Sequence, residues 1–189
     1  MTKNIMIVGV GGQGSLLASR IIGNAALSAG YDVKVSEVHG MAQRGGSVVT
    51  YVRYGEKVES PVICEGEADV ILSFEIMEAA RWLSYLKKGG RLITSTQMIN
   101  PMPVITGACE YPEELVEKIK ALGVDLTAVD AVTLAEEAGS AKAANVVLIG
   151  AMAKACDFTK DELYDAMESC VPKKLLAINE KAFDLGYRS

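Results

Sequence analysis

The sequence is poor in the residues that build metal centres. It holds a single histidine, His39, and four cysteines, Cys64, Cys109, Cys156 and Cys170, with no C-x-x-C pair among them. That spacing offers no zinc or iron–sulfur ligand pattern. The thiols read instead as small buried hydrophobes, kept reduced in a cytosolic setting. Aromatic residues are only 6% of the chain while glycine reaches 18 residues, a balance that disfavours an aromatic-rich sandwich and favours tightly packed α/β layers. Basic stretches are missing as well. Nineteen Lys and Arg face 24 Asp and Glu, for a net charge of −5, and Lys87-Lys88 and Lys173-Lys174 are isolated pairs. Nucleic acid is therefore not an expected partner. Long apolar runs are also lacking. The uncharged stretch Ala143 to Ala153 is bounded by Lys142 and Lys154, well short of the ~20 residues that cross a bilayer. The start, Met1 to Gly9, has too short an apolar run for a signal peptide. No membrane partner and a cytoplasmic location are expected. No G-K-[ST] phosphate loop, H-E-x-x-H or G-x-S-x-G elbow is present.

What is present is an alternation. The chain has 189 residues, 50% apolar and 23% charged, which suits one folded domain over residues 1–189. Ile5 to Val10 is continuously apolar and β-branched, as in a strand buried on both faces. A glycine turn follows, then helical spacing from Leu16 to Ala25 that stops at Ser28-Ala29-Gly30, then a short strand from Tyr31 to Ser36. The first 36 residues thus read as one βαβ unit. Residues 37–46 read as a loop. Ser47 to Tyr54, a Gly55-Glu56 turn and Lys57 to Ile63 read as a β-hairpin inserted into the alternation.

Val70 to Ser73 is the next expected strand, followed by a helix from Ile76 to Leu86 that Lys87-Lys88-Gly89-Gly90 would stop. Arg91 to Ser95 is a strand, and Asn100-Pro101-Met102-Pro103 an extended connection. A helix over Glu113 to Leu122, a strand over Asp125 to Val129, and helices over 132–138, 141–156, 161–170 and 173–185 complete the chain. Thr159-Lys160-Asp161-Glu162 is a capping-box pattern. The fold expected is doubly wound α/β, Rossmann-like, with a mostly parallel sheet, a β-hairpin insertion and a helical C-terminal layer.

Two segments carry chemistry. Gly9-Val10-Gly11-Gly12-Gln13-Gly14 matches G-x-G-x-x-G between a strand and a helix. In that pattern Gly9 allows a tight turn, Gly11 lets the backbone approach an anion, and Gly14 lets the helix pack close to the strand. The turn either presents helix N–H groups to a phosphate or serves only packing or a subunit contact. Glu37 stands about where a dinucleotide site wants its ribose-binding acid, and equally suits a structural or solvated role.

The second segment, Ser36 to Ser47, holds Glu37, His39, Gln43, Arg44, Gly45 and Gly46. Arg44 offers a planar fork of donors for a phosphate or carboxylate, or pairs with a nearby carboxylate. His39 either meets a ligand or satisfies backbone groups. Tyr51, Tyr54 and Trp82 read as packing residues, and the pairs Glu113-Glu114 and Glu136-Glu137 as solvated helix faces. No catalytic or metal-ligating set emerges. The readings open at this point are a free-standing NAD(P)- or FAD-binding oxidoreductase, a nucleotide-binding scaffold module, and a subunit of a larger enzyme.

The two segments together resemble the gamma-type domain of 2-oxoacid:ferredoxin oxidoreductases. Gly66-Glu67-Ala68-Asp69, Tyr85 to Gly90 and Asn145 to Gly150 continue the resemblance over nearly the whole chain. With Pro101 to Gly107, the chain is most similar to the separate beta subunits of the indolepyruvate-type members. The resemblance implies coenzyme A-dependent oxidative decarboxylation of a 2-oxoacid, with electrons passing to ferredoxin. It implies that thiamine diphosphate, Mg2+ and [4Fe-4S] clusters belong to a larger alpha subunit, the expected partner, and that this chain alone binds none of them. It further implies that the glycine turn and the Glu37–Ser47 loop face that subunit, beside a channel for coenzyme A or substrate.

Overall fold

The computed structural model describes residues 2–40 and 45–189. The chain opens with strand β1, Lys3–Val10, in which Ile5, Met6, Ile7 and Val8 are fully buried. A strand with no solvent face belongs inside a sheet covered on both sides. Helix α1, Ser15–Ser28, follows the glycine turn. Then come β2, Asp32–His39, and β3, Ser47–Gly55. β4, Ala68–Ser73, leads into α2, Ile76–Arg81, and a 3-10 turn over Leu83–Tyr85. β5, Leu86–Ser95, is followed by the single turn α3, Met102–Ile105, and by α4, Leu115–Ala121. After β6, Asp125–Val129, the chain is helical: α5, Ala131–Ala138, α6, Ala144–Met152, α7, Lys160–Cys170, and α8, Leu176–Arg188.

The six strands form one sheet in the order β2-β3-β1-β4-β5-β6. β1, β4, β5 and β6 are parallel neighbours, and β3 runs antiparallel to both β1 and β2. One face is packed by α1 and α5 to α8 and the other by α2 and α4, which is the doubly wound arrangement. No described helix is long and apolar enough to cross a membrane.

Four local expectations need correction. First, β1 and β2 are the parallel strands of a βαβ crossover through α1, but they are not neighbours, because the antiparallel β3 lies between them. β2 is half exposed along its length, with Val35 and Val38 about half open to solvent, whereas β3 is buried nearly throughout. The more apolar strand takes the inner position. Second, a hairpin does interrupt the alternation, but its arms are β2 and β3. Lys57 to Ile63 is not a strand. Pro61 has no N–H to give a ladder, and the Arg53 guanidinium takes the carbonyls of Ser60 and Val62 at 3.0 and 2.7 Å. Val58 and Ile63 are buried regardless.

Third, helix α2 ends at Arg81, and Lys87 to Gly90 lie inside β5. Gly90 passes so close to β4 that a Cβ there would lie 3.0 Å from the carbonyl oxygens of Ala68 and Asp69. The ladder register shifts between Ala68 and Val70. Gly90 therefore serves strand packing, whereas Gly89 is exposed and takes a φ of +80° that favours glycine. Fourth, Pro101 is extended as expected, but one helical turn follows it at once, since Pro103 is tolerated in a first turn.

The helical layer is built on close contact. α6 is buried on nearly every side and crosses α8 where Gly150 and Gly186 bring the backbones together. A Cβ on Gly186 would fall 1.8 Å from the Val147 carbonyl oxygen. α7 starts at the capping box read from the sequence. Thr159 Oγ1 accepts from the Glu162 N–H at 3.3 Å, and Glu162 Oε2 accepts from the Thr159 N–H at 2.7 Å.

Candidate functional site

The carboxyl ends of β1, β4 and β5 gather the loops, and the glycine turn stands among them. Gly12 and Gly14 have φ of +105° and +91°, the left-handed region that glycine enters without strain. Gly14 is the residue before α1, and no side chain caps that helix. A Cβ on Gly14 would lie 2.4 Å from Asn145 Nδ2, so the close approach here is to α6 rather than to a strand. Asn145 Nδ2 donates to the Gly14 carbonyl at 3.3 Å. Gly9 is still within β1, where a Cβ would meet Gln13 Oε1 and Phe74. Gly11 is spent on the neighbouring loop: its N–H donates to the Gly46 carbonyl at 2.8 Å, and its carbonyl accepts from the Gly45 N–H at 3.3 Å.

Gln13 staples three segments. Its Oε1 accepts from the Val10 N–H at 2.7 Å, and its Nε2 donates to the Phe74 carbonyl and to Gln97 Oε1, both at 2.9 Å. Beneath this staple lie two carboxylates. Glu75 is fully buried and caps α2 by accepting from the Glu78 N–H at 2.8 Å. Glu78, nearly as buried, accepts from Arg81 Nε at 3.0 Å, from Trp82 Nε1 at 3.3 Å and from the Ser47 hydroxyl. Ser47 thereby anchors the far end of the loop that Gly45 and Gly46 tie to Gly11. The Tyr111 hydroxyl is pushed to higher pKa, first by burial and then by its hydrogen bond to Glu75.

Two clefts flank the turn, and Gly12 lines both. One, of about 420 Å³, is bounded by Gln13, Phe74, Ser95, Gln97, Lys142 and Asn145. Its described lining holds amide, hydroxyl and ammonium groups and neither histidine nor carboxylate. Such a set orients a polar or anionic ligand but supplies no general base. The other, of about 340 Å³, is bounded by Gly11, Gly14, Ser15, Leu16, Glu37 and His39. Glu37 Oε2 there accepts from the Ser15 and Thr50 hydroxyls, each at 3.2 Å. An Nδ1–H tautomer of His39 donates to the Gly40 carbonyl at 3.0 Å.

The glycine turn, Glu37, His39, Gly45 and Gly46 are thus brought to one edge. Gln43 and Arg44 lie outside the described residues. Glu37 does not stand as a dinucleotide-binding acid would, because β3 separates its strand from β1 and its carboxylate is engaged by two hydroxyls. Reading the sequence for motifs misses Gln97, Lys142, Ser95 and Asn145. Asn145 did leave a signal, as the one polar residue in the apolar run from Ala143 to Ala153, and a buried polar side chain asks for a partner. Among the described residues, no three His, Cys, Asp or Glu side chains are placed to hold a metal ion. The expectation of four buried thiols fails for Cys64 and Cys109, which are exposed; Cys156 and Cys170 are half-buried, and all four are free thiols. These residues do not fit an iron–sulfur cluster.

The chain is 46% identical to an indolepyruvate oxidoreductase subunit IorB from Thermococcus kodakarensis, with 98% of this chain and 95% of that protein aligned. It is 47% identical, at the same coverage, to the subunit of that name from Pyrococcus horikoshii. The crystal structure of a keto/oxoacid ferredoxin oxidoreductase gamma subunit from Geobacter sulfurreducens shares the fold, at a TM-score of 0.72 and 24% identity over 98% of this chain and 96% of that one. The family model for pyruvate ferredoxin/flavodoxin oxidoreductase matches residues 4–189. From the glycine turn to the glycine-paired C-terminal helices, the chain belongs to the pyruvate ferredoxin/flavodoxin oxidoreductase family.

Proposed function

We propose that residues 1–189 form one gamma-type domain that serves as the smaller, beta subunit of an indolepyruvate:ferredoxin oxidoreductase. The observation that carries this reading is the near-full-length identity of 46–47% to two subunits bearing that enzyme's name. In this reading the larger alpha subunit supplies decarboxylation and electron-transfer chemistry through thiamine diphosphate, Mg2+ and [4Fe-4S] clusters. Ferredoxin takes the electrons, coenzyme A takes the acyl group, and the assembly is cytoplasmic.

The part left to this chain is positional. The Gln13 staple and the Ser47–Glu78 bond fix the carboxyl edge of the sheet. The two clefts beside Gly12 border the path of substrate or coenzyme A. Lys142, with the N–H groups at the start of α1, meets negative charge there. The loop with Gln43 and Arg44 faces the larger subunit.

The test is co-purification with a large iron–sulfur partner, followed by dye reduction with indolepyruvate, phenylpyruvate, pyruvate and 2-oxoglutarate in the presence of coenzyme A. Activity with the aryl oxoacids is expected. A chain that purifies alone and binds a dinucleotide in equilibrium dialysis would overturn the reading. The loop's role is checked separately by Arg44→Ala, which should weaken assembly or raise the apparent KM for coenzyme A.

A further inference from the structure

The segment between β5 and α4 leaves the body of the protein and returns to it at one buried atom. Glu75 Oε1 accepts from the Ile99 N–H at 3.1 Å and also from the Tyr111 hydroxyl. Both ends of the excursion from Ile99 to Tyr111 are therefore closed by a single carboxylate oxygen of a fully buried residue, which is Ω-loop geometry. The loop is ordered inside as well. The Pro103 carbonyl accepts from the Ala108 N–H at 2.8 Å and the Thr106 hydroxyl at 3.2 Å, around the single turn of α3.

An ordered loop of this kind normally turns its large apolar side chains inward. This one shows them. Met98 is 58% exposed, Met102 66% and Ile105 64%. Apolar residues exposed singly are ordinary, whereas several on one short ordered segment mark a contact surface. Methionine adapts its shape to an apolar groove. The charges are one-sided. Between Gln97 and Val116 the sequence has Glu110, Glu113 and Glu114 and no Lys, Arg or His, and all three carboxylates are exposed. The complement of this surface is an apolar groove edged by basic side chains. Position adds to the argument, because Gln97, next to the loop's base, lines the larger cleft and bonds Gln13.

We propose that Met98 and the loop from Ile99 to Tyr111 form the arm by which this chain docks into its larger partner subunit, in an apolar groove of that subunit edged by Lys and Arg. The proposal rests on the reading of the chain as one subunit of an oxidoreductase. Docking at this loop would set a partner surface beside the glycine turn without using the turn itself.

The experiment co-expresses the full chain with the tagged larger subunit and measures their dissociation constant. Met102→Asp/Ile105→Asp should weaken binding about tenfold or more, as loss of a central apolar anchor does. Glu110→Lys/Glu113→Lys/Glu114→Lys should also weaken it, and should remove the loss of affinity that added salt causes in the wild type. Leu122→Asp, at a residue 70% exposed outside the loop, should leave binding unchanged. The substituted side chains are exposed, so the Met102/Ile105 and Leu122 variants should melt with the wild type, and the Glu→Lys variant slightly below it, because Glu113 and Glu114 stand at the N-terminus of α4. If the wild-type complex forms and both loop variants bind within about twofold of it, the docking arm is wrong and the subunit reading stands. If the variants instead abolish self-association of the chain, the occupant is a second copy and the proposal falls. If the wild type forms no complex at all, the subunit reading falls with it.

Discussion

The Gln13 side chain donates a hydrogen bond to the Gln97 side-chain oxygen at 2.9 Å, joining the glycine turn after β1 to the segment that leaves β5. Gln13 also holds the Val10 N–H and the Phe74 carbonyl. One amide therefore sets how the ends of three parallel strands stand to one another, and Gln13→Ala should strand all three partners. Partly buried groups left unpaired cost about 1–3 kcal/mol, and a loss in that range is expected in urea denaturation. Gln13→Glu keeps the acceptor for Val10 but replaces the donor facing two oxygens, so it should be the worse variant at neutral pH and improve on acidification.

Gly186→Ala tests the α6–α8 crossing. In an exposed helix that change gains up to about 1 kcal/mol from helix propensity. Here the new methyl would lie 1.8 Å from the Val147 carbonyl oxygen. Steric overlap should win, with a net cost of about 3 kcal/mol or failure to fold. Chemical denaturation of the purified chain decides the sign.

Acid should weaken the α7–α8 contact through Asp184. The Lys160 ammonium, paired with its carboxylate at 2.6 Å, holds its pKa below the ordinary 3.8, and the Tyr164 hydroxyl adds to the effect. A carboxylate whose folded pKa is depressed contributes stability above its unfolded pKa. That contribution is lost as pH falls from about 4 through the folded value. Asp184→Asn should therefore be less stable than the wild type at neutral pH, and the difference should shrink as pH falls below the ordinary 3.8 and through the depressed folded value. Thermal melts across that window read the effect.

Thiol reactivity should separate the exposed cysteines from Cys156. Cys64 and Cys109 are exposed, whereas burial pushes the Cys156 thiol above its ordinary 9.0. The thiolate is the nucleophile. Alkylation at mildly alkaline pH, followed by peptide mapping, should label Cys64 and Cys109 first and Cys156 well behind them.

The sequence by itself determined the elements whose causes are local. β1 was legible because four successive apolar residues at Ile5 to Val8 demand cover on both faces. The start of α7 was legible because Thr159 and Glu162 satisfy each other's backbone within one turn. β6 was found at its observed limits, Asp125–Val129. The glycine turn stood out for the same kind of reason, since the positive φ at Gly12 and Gly14 is a demand of the chain itself.

Tertiary structure decided the rest. Burial, and no local signal, placed β3 rather than β2 beside β1 and drew Gly90 into a strand. Arg53 reached across to take the carbonyls that would have made Lys57 to Ile63 a second hairpin arm. The site itself joins Gln13 to a residue 84 positions away and Gly14 to one 131 away. A side-chain hydrogen bond depends on where two backbones come to rest, and that is set by the packing of the whole sheet and its helices. A pattern of a few residues fixes a turn or a cap; it carries no information about which distant amide will complete it.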